Sequence, residues 1–199
     1  VGREKAAEAV RTALAMGADK GVLITDPALD GCDPLSTAKV LAAAAREMPY
    51  DLIIAGQRAV DDDAYMVGSA VAEILGIPGI TMVIKEEIAE NLIRCHKTID
   101  GGVAVVEAPL PALITTQRGL NDPRYASLPG IMKAKKKPLD TKTLADLGFD
   151  PQTFPIVRMN ITALTPPPER KGGRVIEGET PQEKARELVR ILHEEAKVV

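Results

Sequence analysis

The 199-residue sequence predicts an α/β fold, in which a parallel sheet is joined by crossover helices. Short apolar runs alternate with helical patterns in the first part of the chain, which is the order that βαβ units require. Residues 21–25 and residues 51–55 are apolar runs of strand length bounded by turn signals, as buried strands of a parallel sheet are. β-Hairpin additions and an extended C-terminal arm complete the predicted architecture.

Three helices are predicted around these strands. The first carries Val10 and Leu14 on one face and ends at Gly17, a residue that often follows a helix C-terminus. The second begins with Pro34, which suits the first turn of a helix. The third ends before Gly76. The predicted spans are residues 4–16, 34–46 and 63–75.

From residue 79 the pattern changes to short β segments separated by turns. Asn91 and the pair Gly101 and Gly102 lie in those turns, and both residue types favour tight hairpin connections. A further apolar strand follows the hairpins. The predicted segments are residues 81–87, 92–98, 103–107 and 112–116.

The C-terminal part has a different composition. Residues 138–179 are rich in Pro, Gly and charge, with a run of three prolines that no regular structure accommodates. We predict a strand at residues 156–164 and a helix at residues 181–196 with Thr180 as its N-cap. Apolar residues on one face of that helix favour an arm packed on a partner subunit over a flexible terminus. The predicted division is residues 1–138 for the domain and residues 139–199 for the arm.

Composition excludes several classes of protein. A net charge of −3 and a pI near 5.5 argue against a general nucleic-acid-binding protein, and no apolar run reaches the length of a membrane span. Cys32 and Cys95 lack metal-ligand spacing and are predicted to be reduced thiols. His96 and His193 are assigned to packing or to the surface, so we predict no catalytic residue and no metal site.

Residues 56–63 follow a predicted strand directly and lead into a predicted helix. Ligands of open parallel sheets bind outside the carboxyl ends of the strands, and Gly56 allows close approach of the backbone. A helix that begins near Asp63 offers free N–H groups to a phosphate. The three adjacent carboxylates repel a phosphate, so we expect them to turn toward ribose, metal, caps or solvent. An acidic helix N-terminus that only complements the helix dipole explains the same residues, and both interpretations stay open.

Three segments occur in this order along the chain: residues 11–19 (RTALAMGAD), residues 55–63 (AGQRAVDDD) and residues 121–138 (NDPRYASLPGIMKAKKKP). The last has neither helical nor strand periodicity. In this order the segments resemble the β subunit of electron-transfer flavoproteins, from Val1 to about Ala134 and more loosely to the end. The resemblance implies an adenine-nucleotide α-hydrolase-like sheet. It also implies that a strand, a helix and a second strand precede this sequence, so we expect the chain to be N-terminally incomplete.

In this family the segment that matches residues 56–67 binds AMP, so the resemblance implies an AMP site. The chain has Tyr65, Met66 and Val67 where AMP-binding members commonly have Asn-Gln-Thr, which removes a hydroxyl. Electron-bifurcating relatives carry a second FAD here and tend to have Val at the last position, but also a Gly where this chain has Asp62. We favour AMP because Asp62 adds bulk and charge near a pyrophosphate, and a second FAD is the alternative. The implied contacts are Val1, Gly56, Gln57, Arg58, Ala59, Val60, Asp61, Asp62, Asp63, Ala64, Tyr65, Met66 and Val67.

Leu120 lies on a predicted loop tip before a proline turn. The resemblance implies that this leucine anchors a recognition loop in a pocket of a dehydrogenase, and a loop leucine folded back on the core is the alternative. The basic run at residues 133–137 is interpreted as a docking patch that speeds association, with a solvated face or an anion site as alternatives. The implied partner contacts are Leu120, Asn121, Pro123, Arg124, Tyr125, Lys133, Lys135 and Lys136.

The resemblance implies a heterodimer with an α subunit that holds most of the FAD. Electrons are then expected to pass from flavin-dependent dehydrogenases, as in fatty acid oxidation, to an oxidoreductase such as a membrane quinone reductase. We expect an electron carrier rather than an enzyme with its own substrate turnover, in the cytoplasm of a bacterium or in the mitochondrial matrix of a eukaryote. An electron-bifurcating complex and a non-redox nucleotide-binding regulatory domain are the alternatives.

Overall fold

The computed structural model describes residues 1–154, 159, 161–169 and 172–198. The chain divides into two compact units, Val1–Asn160 and Ile161–Val199. The strands are β1 (Gly21–Ile24), β2 (Leu52–Gly56), β3 (Gly79–Ile88), β4 (Leu92–Ile99), β5 (Gly102–Pro109), β6 (Ala112–Thr116) and β7 (Leu139–Lys142). The helices are α1 (Ala7–Met16), α2 (Pro34–Arg46), α3 (Val67–Leu75), α4 (Leu128–Ala134) and α5 (Pro181–Arg190), of which α5 alone belongs to the second unit.

The main sheet has five strands in the order β2-β6-β3-β4-β5. β6 pairs in parallel with both β2 and β3, whereas β3, β4 and β5 form an antiparallel meander. β1 pairs in parallel with β7 in a separate two-stranded sheet. The α/β class is therefore confirmed, and the sheet is mixed rather than wholly parallel because the predicted hairpins extend it.

Small side chains build the core between the helices and the sheet. Ala38 and Ala42 of α2 are fully buried and pack with Val71 and Ala72 of α3 against Leu113 of β6. Alanine side chains allow helices to approach closely, which suits a chain with only 3% aromatic residues. This packing holds α3 beside the carboxyl end of the parallel strands.

The third helix begins later than its sequence predicts. The prediction began it at Asp63, but α3 begins at Val67. Asp63 and Tyr65 have φ angles of 52° and 55°, in the left-handed region, so neither can belong to a right-handed helix. The free N–H groups expected near Asp63 therefore lie at Val67, and residues 57–66 form a loop.

A short helix lies where the sequence shows no periodicity. α4 follows Ser127, whose hydroxyl accepts a hydrogen bond from the Gly130 N–H at 3.2 Å. Pro129 occupies the first turn, where its missing N–H costs nothing. This serine cap followed by a proline was the available sequence signal, and seven residues are too few for an apolar stripe to reveal a helix.

The first compact unit extends past Pro138. β7 extends the small sheet, and Leu144 is fully buried in a cluster that Phe149 and Phe154 also cover. The two phenylalanine rings stack at a centroid distance of 4.4 Å. Residues 139–154 are therefore packed structure within that unit.

The second unit contains the predicted C-terminal helix. Thr180 and Glu183 form the predicted capping box, in which the Glu183 N–H donates to the Thr180 hydroxyl at 3.2 Å and the Thr180 N–H donates to the Glu183 carboxylate at 3.4 Å. A π-helical turn, Ile191–Glu195, follows α5. The strand predicted at residues 156–164 lies partly outside the described residues, and residues 161–164 are not in a strand. Within the described part of the chain, no helix combines the length and apolarity of a transmembrane span.

Candidate nucleotide site and docking segment

A polar cavity of about 440 Å³ lies at the carboxyl ends of β2 and β6. Gly56 and Thr116, the last residues of these two strands, are paired in the parallel register. A second cavity of about 280 Å³ shares part of this lining and follows the loop into α3. The larger cavity is lined by Gly56, Gln57, Arg58, Val60, Tyr65, Met82, Thr116, Gln117 and Arg118.

The three carboxylates of the loop have partners within the loop. Asp61 accepts a hydrogen bond from the Asp62 N–H at 3.0 Å, and Asp62 accepts one from the Ala64 N–H at 3.2 Å. Asp63 forms an ion pair with Arg58, and this hydrogen-bonded carboxylate raises the pKa of the guanidinium above its ordinary value. Because these contacts are local, the carboxylates stabilise the loop conformation and are not gathered as a metal site.

Two guanidinium groups give the larger cavity its positive charge. Arg58 lies 5.3 Å from the centre of the Tyr65 ring, an arrangement that keeps the side chain over the loop. Arg118 is exposed and makes no side-chain hydrogen bond or ion pair with another residue that the structure describes. An anion bound in the cavity would find this second cation available.

Gly68 fixes the position of α3 against the sheet. A Cβ atom at this residue would lie 2.5 Å from Cγ2 of Thr115 in β6, so only glycine permits the observed separation. The Thr115 hydroxyl also accepts a hydrogen bond from the N–H of Met82, whose φ is 62°, beside an irregularity in the β3–β6 pairing. Met82 lines the larger cavity, whereas Val67 and Gly68 at the start of α3 line the smaller one.

The structure brings together most of the residues predicted for the nucleotide. Val1 does not line either cavity, and the neighbouring Gly2 N–H donates to Ile24 O at the end of β1. Asp61 and Asp63 also lie outside both linings. The sequence interpretation missed Met82, Thr116, Gln117 and Arg118, although the strand-end rule applies to β6 as it does to β2.

The predicted docking segment exposes a different leucine from the one selected in the sequence. Leu120 is half-buried and packs against the cluster around Val83 and Ile114. In contrast, Tyr125 is 99% exposed, Leu128 80% and Met132 71%. The apolar surface of this segment is therefore on and just before α4.

The basic run divides into exposed and bound lysines. Lys133, Lys135 and Lys136 are exposed and make no side-chain hydrogen bond or ion pair with other described residues. Lys137 is half-buried, and its ammonium donates to the carbonyl oxygens of Leu14 and Ala18. Three free cations therefore lie beside the exposed apolar side chains of α4.

The described residues hold no group of three His, Cys, Asp or Glu side chains that could bind a metal. Cys95 is fully buried and Cys32 is half-buried, and both are free thiols. Burial, with a smaller effect of Glu86, raises the pKa of the Cys95 thiol.

The fold and the site define an α/β protein with a cavity at the carboxyl ends of parallel strands and a separate segment of exposed apolar and basic side chains. The family model described as "Electron transfer flavoprotein domain" matches residues 1–147. The chain is 42% identical to the electron transfer flavoprotein subunit beta of Bacillus subtilis, over 100% of this chain and 77% of that protein. It is 38% identical to the subunit of the same name from Bos taurus, over 85% of this chain and 66% of that protein.

A third relative is the caffeyl-CoA reductase-Etf complex subunit CarD of Acetobacterium woodii, which is 36% identical over 98% of this chain and 75% of that protein. The chain belongs to the electron transfer flavoprotein family and resembles its β subunits. Its function is therefore electron transport in a flavoprotein, and the subunit name of its relatives implies an α subunit as partner.

Proposed function

We propose that this chain and an α subunit form a heterodimer that carries electrons from flavin-dependent dehydrogenases to an oxidoreductase such as a membrane quinone reductase. The observation that carries the proposal is the pairing of exposed apolar side chains with free lysines on one short segment, Tyr125 to Lys136. A small apolar contact with a basic rim suits a partner that must bind and leave. Family membership favours this function over a non-redox regulatory domain. In a bacterium the heterodimer would act in the cytoplasm, and in a eukaryote in the mitochondrial matrix.

The FAD, held mainly by the α subunit, supplies the redox chemistry, and this chain supplies binding, charge and docking. We place an AMP molecule in the cavity at the ends of β2 and β6, in a sheet of the adenine-nucleotide α-hydrolase type. Arg58 and Arg118 would lie near the phosphate, and the face of Tyr65 would lie near the base. Asp62 lines the adjoining cavity and adds bulk and negative charge where a pyrophosphate would need close backbone approach, which favours AMP over FAD.

The nucleotide content of the purified heterodimer tests this assignment. Acid extraction and chromatography should yield one FAD and one AMP per heterodimer. Arg118→Met should lower the AMP content and leave FAD unchanged. Arg94→Met is the matched control, because Arg94 pairs with Glu107 in the meander and does not line the cavity.

A second FAD in place of AMP remains the alternative, since one relative is named as a subunit of a reductase–Etf complex. Two FAD molecules per heterodimer and no AMP would replace the shuttle with an electron-bifurcating complex. Equal AMP loss in Arg118→Met and Arg94→Met would show that the cavity assignment is wrong.

The docking proposal is tested with two leucines. Fully burying a leucine stabilises a contact by roughly 1.5–3 kcal/mol, so loss of an anchor should slow electron acceptance about tenfold or more. Leu128→Ala should slow reduction of the heterodimer by the dehydrogenase in stopped-flow experiments without changing the melting temperature. If Leu120 is the anchor, Leu120→Ala should give that result instead. If Leu120→Ala only lowers the melting temperature, Leu120 is a core residue.

We further propose that the C-terminal arm, within residues 139–199, packs on the α subunit. The part of the arm in the second unit has three exposed apolar side chains: Leu164 (88% exposed), Val175 (82%) and Val189 (59%). Exposed apolar surface of this kind favours burial against a partner. Deleting residues 178–199 should weaken the heterodimer, as measured by the dissociation constant. Unchanged affinity would show that the arm does not bind the α subunit.

A further inference from the structure

The seven-residue helix α4 is too short to be stable on its own. It nevertheless carries the exposed Leu128, Met132 and Lys133 and precedes the free Lys135 and Lys136. A helix of this length holds one orientation only if contacts outside it fix both its backbone and its end. The structure contains such contacts with α1.

The two helices are joined by a reciprocal pair of basic side chains. Nη1 of Arg11 in α1 donates to the carbonyl oxygens of Ala134 and Lys137, at 2.7 and 2.8 Å, at the C-terminal end of α4. Nζ of Lys137 donates in return to the carbonyl oxygens of Leu14 and Ala18, at 3.1 and 2.6 Å, at the C-terminal end of α1. Each cation therefore binds carbonyl oxygens at or just after the C-terminus of the other helix, where the helix dipole is negative.

The helix surfaces between these contacts are close. A Cβ atom on Gly130 would lie 2.5 Å from the carbonyl oxygen of Ala15, so the backbone of α4 touches the backbone of α1. An open cavity of about 560 Å³ lies beside this point of contact, lined by residues of both helices, among them Ile131 and Lys135. The hydrogen bonds of Arg11 and Lys137 add directional contacts at the helix ends to this close contact, and together they fix the orientation of α4.

We propose that Arg11 and Lys137 are positioning residues that hold α4 in the orientation in which it meets the dehydrogenase. Neither side chain contacts that partner in this proposal. Lys137 thus has a role distinct from Lys136, although the two lysines are adjacent in one basic run. The inference rests on the proposed docking function.

Hydrogen exchange of the heterodimer without a dehydrogenase tests the first half of the inference. Lys137→Met should raise the exchange rate of the backbone amides at residues 131–137 by about tenfold or more, because the helix opens more often. Lys136→Met is the matched control, since it removes the same charge but no hydrogen bond, and it should leave those rates unchanged. Lys137→Arg keeps a charged donor and should restore the protection.

Steady-state kinetics with the heterodimer as electron acceptor tests the second half. Lys137→Met should raise the KM for the heterodimer about five- to tenfold more than Lys136→Met does, with kcat within about twofold of the wild type. Arg11→Met should give the same two effects, and it replaces Lys137→Met if that variant does not assemble with the α subunit. Equal exchange and equal KM in Lys137→Met and Lys136→Met would overturn the inference.

Failure of the docking function itself gives a different result. If Leu128→Ala and Leu120→Ala both leave the KM unchanged, the segment does not dock, and the positioning role is lost with it. In a further outcome, Leu128→Ala raises the KM, whereas Lys137→Met speeds exchange without raising the KM above that of Lys136→Met. In that case docking stands and only the positioning role is refuted.

Discussion

Replacing Gly68 by alanine should disturb the joint between α3 and β6. The new Cβ would lie 2.5 Å from Cγ2 of Thr115, with the Cβ of Ala55 at 3.5 Å and Cδ2 of Leu113 at 3.7 Å. Thr115 cannot easily turn away, because its side chain is buried and its hydroxyl accepts the hydrogen bond from the Met82 N–H. The helix must therefore move away from the sheet, and the nucleotide loop that leads into it must move too.

Two opposing effects set the magnitude. Alanine favours a helix over glycine by about 0.8–1 kcal/mol, whereas overpacking a core typically costs about 1–3 kcal/mol. We expect Gly68→Ala to lower the free energy of unfolding by up to about 2 kcal/mol, which for a domain of this size is a fall of about 4–8 °C in melting temperature. AMP content should fall in the same variant.

The decisive comparison introduces Gly68→Ala into a Thr115→Ser variant, because Thr115→Ser removes Cγ2 and keeps the hydroxyl. In that background Gly68→Ala should be neutral or stabilising by up to about 1 kcal/mol, so the double-mutant cycle should give a coupling of about 1–3 kcal/mol. Gly102→Ala is the control, since a Cβ there meets no atom within 4 Å and should show no coupling. If Gly68→Ala raises the melting temperature equally in both backgrounds, the contact does not constrain α3.

The remaining predictions concern the thiols, a helix cap and the segment after Pro138. Iodoacetamide at about pH 8 should label Cys32 before Cys95, because burial raises the pKa of Cys95 and lowers its thiolate fraction; equal labelling by peptide mass spectrometry would contradict this. Asp33→Ala should lower the free energy of unfolding by about 1–2 kcal/mol in denaturant titrations, since the carboxylate accepts the Ser36 N–H at the start of α2; an unchanged midpoint would refute the cap. Leu144→Ala should cost about 2–5 kcal/mol in the same assay, because Leu144 is fully buried, and a loss below that range would show that its cluster contributes little.

Elements with a strong local pattern could be predicted almost to the residue. α2 begins at Pro34 and ends at Arg46 as predicted, and β6 has the predicted bounds, because Pro34 marks the first turn of α2 and β6 is a short, continuous apolar run. The start of α3 could not be predicted in the same way. It depends on left-handed φ angles at Asp63 and Tyr65, two residue types that adopt other conformations equally well in most loops.

About half of the residues that line the larger cavity could be predicted from the sequence. Residues 56–67 are contiguous and follow a strand, so the strand-end rule and the family resemblance both indicate them. Thr116 and Arg118 enter the cavity only because β6 pairs with β2 across an intervening meander, and this pairing has no local signal. The packing of Leu120 also depends on a distant cluster, which is why a loop tip with an exposed leucine was expected there.

The beginning of α5 is specified by contacts close in sequence. Thr180 and Glu183 cap each other, and Arg190 joins Glu187 and Glu194 on the following turns. None of these contacts requires a surface from another chain, so the helix is preorganised before association. Part of the conformational entropy that a disordered tail would lose on binding is then already lost in the free subunit. In the proposed contact with the α subunit, the exposed Leu188 and Val189 of α5 should consequently bind more tightly than they would on an unstructured tail.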